Sequence, residues 1–365
     1  MTRLGIVGGG QLGMMLAEAG VGLGIESVVL DPTSGAPASR VARQIVGDYD
    51  DEAALAELAA VSDIATYEFE NVPVSSARFL AARVEVFPPP QSLEFAQDRL
   101  LEKTLFTEVG LPVSPFAAVA SKEELAEAID LIGFPSILKT RRLGYDGKGQ
   151  VSLGSPEDAP DGWRRVGELP SILETRVSFD RELSIIGARG REGGTVFYPL
   201  VENAHRDGIL RTSLAPADVS PETQSSAERF ALAMMERLGH VGVLAIELFE
   251  TGEGLLGNEM APRVHNSGHW TIEGAETSQF ENHLRAICGM ELGAAPPSAY
   301  SAMVNLIGSE PPDGAFPARP GVHVHHYGKH ARPGRKLGHV TVVEDDRDTL
   351  FSVLQEVTRT ADNWE

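Results

Sequence analysis

The residues best suited to chemistry lie between Glu247 and His269. Glu247 falls in a strand-like run, and Glu259 follows after an interval in which the chain could turn back. A hairpin with these residues on its two strands would point both carboxylates to one place, where hard oxygen ligands suit Mg²⁺ bridged to nucleotide phosphates. Arg263 and Asn266 would then face an anion formed beside the metal. An ordinary solvated glutamate is the alternative for each carboxylate.

A glycine-rich segment at positions 144–150 predicts a loop that closes over nucleotide phosphates. It follows Lys139, which ends a strand-like run, and it carries Lys148 between glycines. Backbone amides and ammonium groups in such a loop can bind phosphate, and glycines let it move. The segment is not a Walker A sequence, which would need Gly-Lys-Ser/Thr at the start of a helix. An exposed hairpin turn beside an ordinary surface lysine remains the alternative.

A second glycine-rich turn, of the form Gly-x-Gly-x-x-Gly at positions 8–13, follows a predicted strand and precedes a helix. With Asp31 at the end of the next strand, it matches the dinucleotide fingerprint and keeps an NAD-dependent oxidoreductase open as an alternative. The turn also suits the phosphate of another substrate, or a purely structural role. Gln11 and Leu12 would lie at its mouth.

Four cations lie within eight residues near the C-terminus of an otherwise acidic chain: Lys329, Arg332, Arg335 and Lys336. They predict a local anion site, with a solvated basic loop as the alternative. Histidines also crowd positions 323–330, which is compatible with zinc. No thiolate is near, however, and zinc would need a further ligand from elsewhere in the chain.

Composition limits the classes of partner. The chain has 365 residues, of which 42% are hydrophobic, enough for two or three packed domains. Its formal net charge of −21 argues against a general affinity for nucleic acid or anionic membranes. The lone cysteine, Cys288, cannot form an internal disulfide, and no apolar run approaches the ~20 residues that span a bilayer. We therefore expect a cytoplasmic protein that binds neither nucleic acid nor membrane.

Apolar runs predict the elements that position these residues. The first unit would contain strands at 4–7, 27–31 and 63–67 and helices at 14–19 and 48–60. This alternation is typical of a doubly wound α/β unit, which the prolines at 88–90 end. Beyond it, we expect one helix over 92–109, a strand at 136–139 and a polar surface segment at 155–168.

The middle of the chain predicts one larger sheet. Its strands would span 171–174, 182–187, 195–201 and 243–250, with a helix over 221–238 packed beside them. Near the C-terminus, apolar alternation at 323–325 and 338–343 predicts a compact β unit.

Five segments, in this order, resemble motifs of the ATP-grasp family, in which two α+β lobes hold ATP between them. Within that family they look like the carboxyaminoimidazole ribonucleotide synthetases of purine biosynthesis. The matching segments are 9–13, 67–71, 144–150, 258–271 and 332–339. The resemblance implies an α/β and α+β fold with a Rossmann-like domain at 1–95, an ATP-grasp domain at 96–295 with a lid at about 110–175, and a C-terminal β-rich domain at 296–365.

This resemblance implies an ATP-dependent carbon–nitrogen ligase and assigns its sites. ATP would be bound by Arg99, Lys139, Gly144, Tyr145, Asp146, Gly147, Lys148, Gly149, Gln150, Glu174, Thr175, Arg176, Val177, Glu182, His205, Asn258 and Glu259. Mg²⁺ would be held by Glu247 and Glu259. The ribonucleotide substrate, 5-aminoimidazole ribonucleotide, would contact Gln11, Leu12, Glu68, Lys329, Arg335 and Lys336, the last three through its phosphate. Because related enzymes are often dimers, we also expect a homodimer.

Bicarbonate would be the second small substrate. It is a poor electrophile, so ATP must first phosphorylate it to carboxyphosphate, a transfer that needs Mg²⁺ and cations to spread charge. Carboxyphosphate hydrolyses readily, so the glycine-rich loop must exclude water before the amine attacks. We expect Asp146 to orient the amine, and Tyr145 and Lys148 to steady the intermediate. The expected catalytic residues are Tyr145, Asp146, Lys148, Arg263, His265 and Asn266.

Two positions depart from the family pattern. Leu143 replaces a glycine often found before Gly144, and Thr175-Arg176 stands where the hinge often carries glutamine. Three other functions remain open: an ATP-grasp ligase for another small acid, such as a formate-dependent ribonucleotide transformylase; an NAD-dependent oxidoreductase; and a non-catalytic metabolite-binding protein. Bicarbonate-dependent ADP formation, NADH binding without ATP binding, and full turnover of a Glu259→Ala variant would separate them.

Overall fold

The computed structural model describes residues 2–144, 148–312 and 314–364. The chain begins with β1 (Thr2–Val7), α1 (Gln11–Gly22), β2 (Ile25–Asp31), β3 (Arg43–Val46), α2 (Glu52–Val61), β4 (Ile64–Tyr67), α3 (Val74–Ala81) and β5 (Glu85–Val86). The strands form a parallel sheet in the order β3-β2-β1-β4-β5. Leu4 and Ile6 pack with Leu16 of α1, and Leu30 packs with Leu58 of α2, so helices cover both faces. The predicted doubly wound unit is confirmed.

An antiparallel sheet, here called the lid sheet, follows two helices. The elements are α4 (Pro90–Ala96), α5 (Arg99–Glu108), β6 (Phe116–Val119), α6 (Lys122–Ile132), β7 (Ser136–Thr140), β8 (Gln150–Leu153), α7 (Ala159–Arg165) and β9 (Ser171–Thr175). The strand order is β6-β9-β7-β8. The strand predicted at 171–174 is therefore present, but its expected place in the larger sheet is wrong. The polar segment at 155–168 is not only surface, because it contains α7, whose Trp163 packs with Leu153.

The single helix predicted over 92–109 is wrong, because α4 and α5 are separate helices. Asp98 lies between them and caps α5, since its carboxylate accepts a hydrogen bond from the backbone N–H of Leu100 at 3.1 Å. The same carboxylate accepts from Arg141 at 2.7 Å and pairs with Arg142 at 3.2 Å. Asp98 thus ties the start of α5 to the segment that leads into the glycine-rich loop.

A larger antiparallel sheet, here called the central sheet, occupies the rest of the chain. The elements are β10 (Arg181–Arg189), β11 (Thr195–Phe197), β12 (Val201–Arg206), β13 (Ile209–Ala215), α8 (Pro221–Leu238), β14 (Gly242–Thr251), β15 (Gly254–Ala261), α9 (Thr271–Gly274), α10 (Gln279–Ile287), β16 (Tyr300–Ile307), β17 (Val322–His326), β18 (Lys336–Glu344) and α11 (Arg347–Asp362). The order is β15-β14-β10-β12-β13-β16-β18-β17, with β11 paired to β10. The predicted helix over 221–238 is confirmed as α8, whereas the strand predicted at 195–201 is wrong, because β11 ends and β12 begins within it.

Alternate residues of β14 face opposite sides of the central sheet. Leu244 and Leu248 pack against Met234 of α8, whereas Val243 packs with Leu284 of α10 on the other side. Glu247 continues the side of Val243. Two helices therefore fix the strand that carries the first predicted metal ligand.

The strands predicted for the C-terminal β-rich unit are present as β17 and β18. They extend the central sheet, because β16 pairs with β13 and β18 pairs with β16. The sequence pattern also missed α11, which packs on these strands through Leu350, Val353 and Val357. Among the described helices, none is long and apolar enough to cross a membrane.

The predicted hairpin is confirmed as β14 and β15, and it contains a bulge. Glu247 pairs with Glu259, but Leu248 pairs with Gly257, so Asn258 is an extra residue on β15. Neighbouring strand residues normally point to opposite faces, whereas a bulge re-aims side chains. Here Asn258 and Glu259 both line one cleft.

Gly257 lets α5 pack closely on this hairpin. A Cβ atom there would lie 2.7 Å from Phe106 and 2.8 Å from Leu111. We expect Gly257→Ala to lower the free energy of unfolding by about 1–3 kcal/mol, because overpacking displaces the helix or the strand. Urea denaturation measures this change. Gly252 in the same hairpin has open space at its Cβ position, so Gly252→Ala is the matched control, and equal effects of the two changes would contradict the prediction.

Candidate active site

Residues of the lid sheet and the central sheet line a cleft of about 470 Å³, together with residues of α1 and of the segment that follows β4. The predicted site residues in its lining are Gln11, Leu12, Arg99, Lys139, Gly144, Gln150, Glu174, Glu182, His205, Glu247, Asn258, Glu259, Arg263, His265, Asn266 and Lys336. Within the described ranges, the predicted residues outside this lining are Glu68, Lys148, Gly149, Thr175, Arg176, Val177, Lys329 and Arg335. Tyr145, Asp146 and Gly147 lie outside the described residues. Their roles stay predictions.

Carboxylates are concentrated at one wall of the cleft. Glu247 and Glu259 are cross-strand neighbours. Burial, together with the charge of Glu259, raises the pKa of Glu247 to about 8. Glu102 of α5 accepts a hydrogen bond from the backbone N–H of Met260 at 2.6 Å, and burial with the charge of Glu259 also raises its pKa to about 8. A cation at this wall would relieve the repulsion among the three carboxylates.

The carboxylate wall fits Mg²⁺ that is shared between the protein and a nucleotide. No three or more His, Cys, Asp or Glu side chains in the described part of the chain are grouped so as to enclose a metal ion. Mg²⁺ at nucleotide sites is usually held by one or two carboxylates together with phosphate oxygens rather than by an all-protein cage. Glu247 and Glu259 would supply those carboxylates, and Glu259 is open to the cleft.

A buried ionic cluster joins the lid sheet to α5. The Glu174 carboxylate lies 3.2 Å from Lys139 Nζ and 3.5 Å from Lys103 Nζ, and the Ser114 hydroxyl donates to it at 3.3 Å. Burial alone would raise the pKa of Glu174, but the two ammonium groups outweigh burial and lower it. These contacts use Oε2, whereas Oε1 is buried with no hydrogen-bond partner among the described residues. That oxygen can accept from a ligand.

Two residues of this wall, Glu102 and Lys103, were not predicted, although their spacing carried the signal. Arg99, Glu102 and Lys103 stand at i, i+3 and i+4 on α5, so they share one face of the helix, and all three line the cleft. Lys103 is 2% exposed and donates to the carbonyl oxygen of Gly257 at 3.1 Å. It therefore holds the α5 face against the bulged hairpin.

Arg99 holds the start of the glycine-rich loop. Its guanidinium donates to the carbonyl oxygens of Thr140 at 2.9 Å and Gly144 at 3.1 Å. Leu143 lies between them, with a left-handed backbone at a φ of 63° and an exposed side chain. That conformation favours glycine. Position 143 therefore keeps a glycine-like backbone although it carries leucine.

Several residues that were predicted to bind the nucleotide, in the hinge and the neighbouring strands, form hydrogen bonds to other groups of the protein. The N–H groups of Thr175 and Arg176 donate to proline carbonyl oxygens at 2.9 and 3.0 Å, so they are not available to an adenine ring. The Nδ1 atom of His205 bonds to the Glu182 carboxylate. Burial would lower the pKa of His205, but the carboxylate outweighs burial and raises it.

Arg263, His265 and Asn266 follow β15 and form the corner of the cleft beside Glu247. Arg263 is ion-paired with Glu70, which was not among the predicted site residues. His265 Nε2 lies 3.5 Å from the Glu247 carboxylate, and burial holds the pKa of His265 well below its usual range. Both side-chain amide atoms of Asn266 are buried without a hydrogen-bond partner among the described residues. Such a group costs about 1–3 kcal/mol, so it indicates a ligand that would satisfy it.

The turn at 8–13 is filled by a carboxylate of the protein itself. Glu68, directly after β4, accepts from the N–H groups of Gly10 at 2.6 Å and Gly13 at 2.5 Å. Asp31 accepts from a third N–H group of the turn at 2.9 Å. The groups that would bind the pyrophosphate and ribose of a dinucleotide are therefore already engaged. This arrangement argues against the NAD-dependent alternative.

Lys329 connects the C-terminal segment to this turn. Its ammonium group donates to the side-chain oxygen of Gln11, which begins α1. Burial lowers the pKa of Lys329 to about 8; Glu68 opposes this shift, and Arg335 and Lys336 add to it. Both ends of the chain thus meet at residues predicted to bind the ribonucleotide.

Histidines of the segment 323–330 form contacts with carboxylates and with another imidazole ring. His325 bonds to Glu273 at 2.7 Å, and His326 bonds to Glu310 at 2.7 Å. The His325 ring stacks on His339 with centroids 4.3 Å apart. No group of three or more His, Cys, Asp or Glu side chains that could hold a metal ion occurs here or elsewhere in the described ranges.

Family models match successive parts of the chain. A ribonucleotide synthetase preATP-grasp domain matches residues 1–97, and an ATP-grasp domain matches residues 104–280. A phosphoribosylaminoimidazole carboxylase C-terminal domain matches residues 301–352. The three matches follow one another in the order expected from the sequence motifs.

Curated relatives match nearly the whole chain. The N5-carboxyaminoimidazole ribonucleotide synthases of Pseudomonas aeruginosa and Brucella melitensis are each 48% identical to it. The first match covers 97% of this chain and 98% of the relative. The second covers 94% and 96%, respectively.

Solved structures agree with the fold. The N5-carboxyaminoimidazole ribonucleotide synthetase of Thermus thermophilus has a TM-score of 0.94 at 52% identity, with 98% of each chain covered. The N5-carboxyaminoimidazole synthase of Aspergillus clavatus, solved with ADP and 5-aminoimidazole ribonucleotide, has a TM-score of 0.92 at 30% identity, with 99% of each chain covered. The cleft and these full-length similarities agree, and the chain belongs to the N5-carboxyaminoimidazole ribonucleotide synthase family of ATP-grasp enzymes.

Proposed function

We propose that this protein is an ATP-dependent ligase that carboxylates 5-aminoimidazole ribonucleotide to N5-carboxyaminoimidazole ribonucleotide in purine biosynthesis. The observation that carries the proposal is one continuous cleft, which joins the Glu247 and Glu259 pair to Lys139 and to Gln11. A nucleotide and a ribonucleotide can therefore react in a shared space. The ATP-grasp resemblance seen in the sequence is confirmed by the family to which the chain belongs.

Bicarbonate is our proposal for the source of the carboxyl group. The unpartnered amide of Asn266 supports it, because this side chain offers an NH2 donor group and an acceptor oxygen at the corner beside Glu247. Bicarbonate has an oxyanion to accept and a hydroxyl to donate, whereas formate has no hydroxyl and would leave the amide oxygen unsatisfied. Sites built around a hydrogen bond discriminate strongly against analogues that lack it.

The geometry suggests how the chain's own residues would divide the work. Lys139 would bind phosphate oxygens of ATP, and Glu247 with Glu259 would hold Mg²⁺. When bound, Mg²⁺ supplies charge neutralisation for the transferring phosphoryl group. An oxygen of bicarbonate bonds to the γ-phosphorus as the bond to ADP breaks. The amine nitrogen then bonds to the carboxyl carbon as the carbon–oxygen bond to phosphate breaks, and the departing phosphate takes the proton that the amine loses. Asn266 would hold that carboxyl group.

The ribonucleotide would lie between the two ends of the chain. Gln11 and Leu12 line the cleft at the start of α1, and Lys336 lines it from β18. Lys329 and Arg335 belong to the same basic segment, which would bind the 5′-phosphate through charge-assisted hydrogen bonds. Glu68 would act indirectly, because it fixes the turn that presents Gln11.

The domain division, assembly and location are also proposals. We propose domains at 1–95, 96–295 and 296–365; separate parallel and central sheets support the first boundary. The pairing of β13 with β16 means that the last two domains would share one sheet. We further propose a homodimer in the cytoplasm, a reducing compartment that suits the single thiol, Cys288.

A steady-state assay tests the proposed function. We expect ADP formation to require both bicarbonate and 5-aminoimidazole ribonucleotide, because the amine consumes the activated acid. Glu259→Gln should lower kcat by about 100-fold or more, since it removes a charge that acts on the transition state. Glu253→Gln, on the exposed turn of the same hairpin, is the matched control. Equal ADP formation with formate in place of bicarbonate would contradict the proposal.

The raised pKa of Glu247 predicts that the free energy of unfolding of the metal-free protein depends on pH. Its folded-state pKa of about 8 exceeds the ordinary value of 4.5, so the folded protein keeps a proton that the unfolded chain releases. The stability from this group is complete below pH 4.5 and is lost as the pH rises toward 8. Between pH 6 and 8, we expect the wild-type free energy of unfolding to fall by about 1–3 kcal/mol more than that of Glu247→Gln. Urea denaturation with a chelator measures this, and parallel pH profiles would refute it.

A phosphate site at Arg335 predicts that replacing this residue weakens the binding of the ribonucleotide but not of ATP. Arg335→Ala should raise the KM for 5-aminoimidazole ribonucleotide by about 10- to 100-fold, because one charge-assisted hydrogen bond to phosphate is lost. The KM for ATP should stay unchanged in the same initial-rate measurements. Arg347, a half-buried residue paired with the exposed Asp218, gives the control variant Arg347→Ala. A parallel rise in both KM values would speak against a phosphate site at Arg335.

A further inference from the structure

A chain of buried hydrogen bonds runs from the central sheet to His265. The Ser213 hydroxyl donates to Asn203 Oδ1 at 2.8 Å, and Asn203 Nδ2 donates to Ser184 Oγ at 3.0 Å. The hydroxyl oxygens of Ser184 and Ser267 lie 2.7 Å apart, and Ser267 Oγ lies 2.9 Å from His265 Nδ1. The three serines are fully buried, and Asn203 is 6% exposed.

The hydrogen bond from Asn203 to Ser184 determines which hydroxyl groups donate in the rest of this series. Ser184 accepts from the Asn203 amide, so its own proton is available to Ser267 Oγ. A hydroxyl has one proton, and Ser267 then donates its proton to His265 Nδ1. The backbone N–H of Ser267 also points at Nδ1, at 3.4 Å. Both groups make Nδ1 an acceptor, which leaves the imidazole proton on Nε2.

Gln279 fixes the backbone of the same histidine. Its Oε1 accepts from the His265 N–H at 2.9 Å, and its Nε2 donates to the His265 carbonyl oxygen at 2.7 Å. Gln279 is itself fully buried. With the ring and the main chain both held, His265 Nε2 is presented to the cleft, 3.5 Å from the Glu247 carboxylate.

We propose that Ser184 and Asn203 are positioning residues that set the tautomer of His265, so that its Nε2–H donates a hydrogen bond to an oxygen of the acid activated beside Glu247. A protonated Nε2 cannot take a proton from that acid. His265 therefore stabilises the charge that develops on the oxygen rather than acting as a general base. The identity of the acid rests on the proposed function, whereas the tautomer does not.

Nitrogen-15 NMR of the full chain with labelled histidine tests the tautomer directly. The His265 signals are assigned by their loss in His265→Asn. In the wild type we expect Nδ1 to show the shift of an unprotonated acceptor and Nε2 that of a protonated nitrogen. A proton on Nδ1 in the wild type overturns the proposal without any variant. In Ser184→Ala, the Ser267 hydroxyl is free to turn, so we expect both tautomers to be populated.

Kinetics of the same variants separate positioning from a general structural effect. Ser184→Ala should lower kcat by about tenfold, the effect of one lost hydrogen bond, with the KM for ATP unchanged. Ser184→Thr, which restores the hydroxyl, should recover kcat. Ser301→Ala is the matched control, because Ser301 is a buried serine of the central sheet whose hydroxyl has no partner among the described residues.

An unchanged tautomer and kcat in Ser184→Ala would overturn the proposal. The expected wild-type tautomer without bicarbonate-dependent turnover would instead count against the proposed function, so the two failures are distinguishable.

Discussion

Two carboxylates that lie close together in one wall of a cleft repel each other. Several elements of this structure nevertheless hold Glu247 and Glu259 side by side. The register of β14 and β15 places them opposite one another, and α8 and α10 pack on the two faces of β14 so that the strand cannot rotate. The bulge at Asn258 then directs a carboxamide into the same space. Rigid packing thus maintains a charge arrangement that becomes favourable when a cation is bound.

The surrounding elements bring positive charge to the cleft and its margin from separate parts of the chain. Lys139 comes from the lid sheet and Lys103 from α5, and both lie near Glu174. Lys329 belongs to the C-terminal segment and reaches Gln11 at the start of α1. A net charge of −21 would repel a nucleotide from most of the surface. Local groups of cations therefore decide where an anionic substrate can settle.

Sequence reasoning worked where the signal was local and failed where it depended on distant partners. The hairpin around Glu247 and the helix α8 follow from strand alternation and helical periodicity within short windows. The helix cap at Asp98 was a local signal that the prediction of one helix passed over, whereas the pairing of Arg263 with Glu70 spans 193 positions and cannot be read from neighbouring residues. An apolar run also does not say which sheet a strand joins, as β9 shows. By contrast, α11 was missed although its apolar spacing was available.

Glu68 changes the function that the glycine turn at 8–13 can have. A free helix N-terminus of this form binds phosphate from many sources, and its selectivity would have to come from the shape of the surrounding pocket. Here the carboxylate of Glu68, held by the fold, already accepts the N–H groups that a phosphate would need. The amino-terminal unit is thereby insulated from nucleotides that its fold would otherwise attract, and it is left free to serve as a rigid platform for a different substrate.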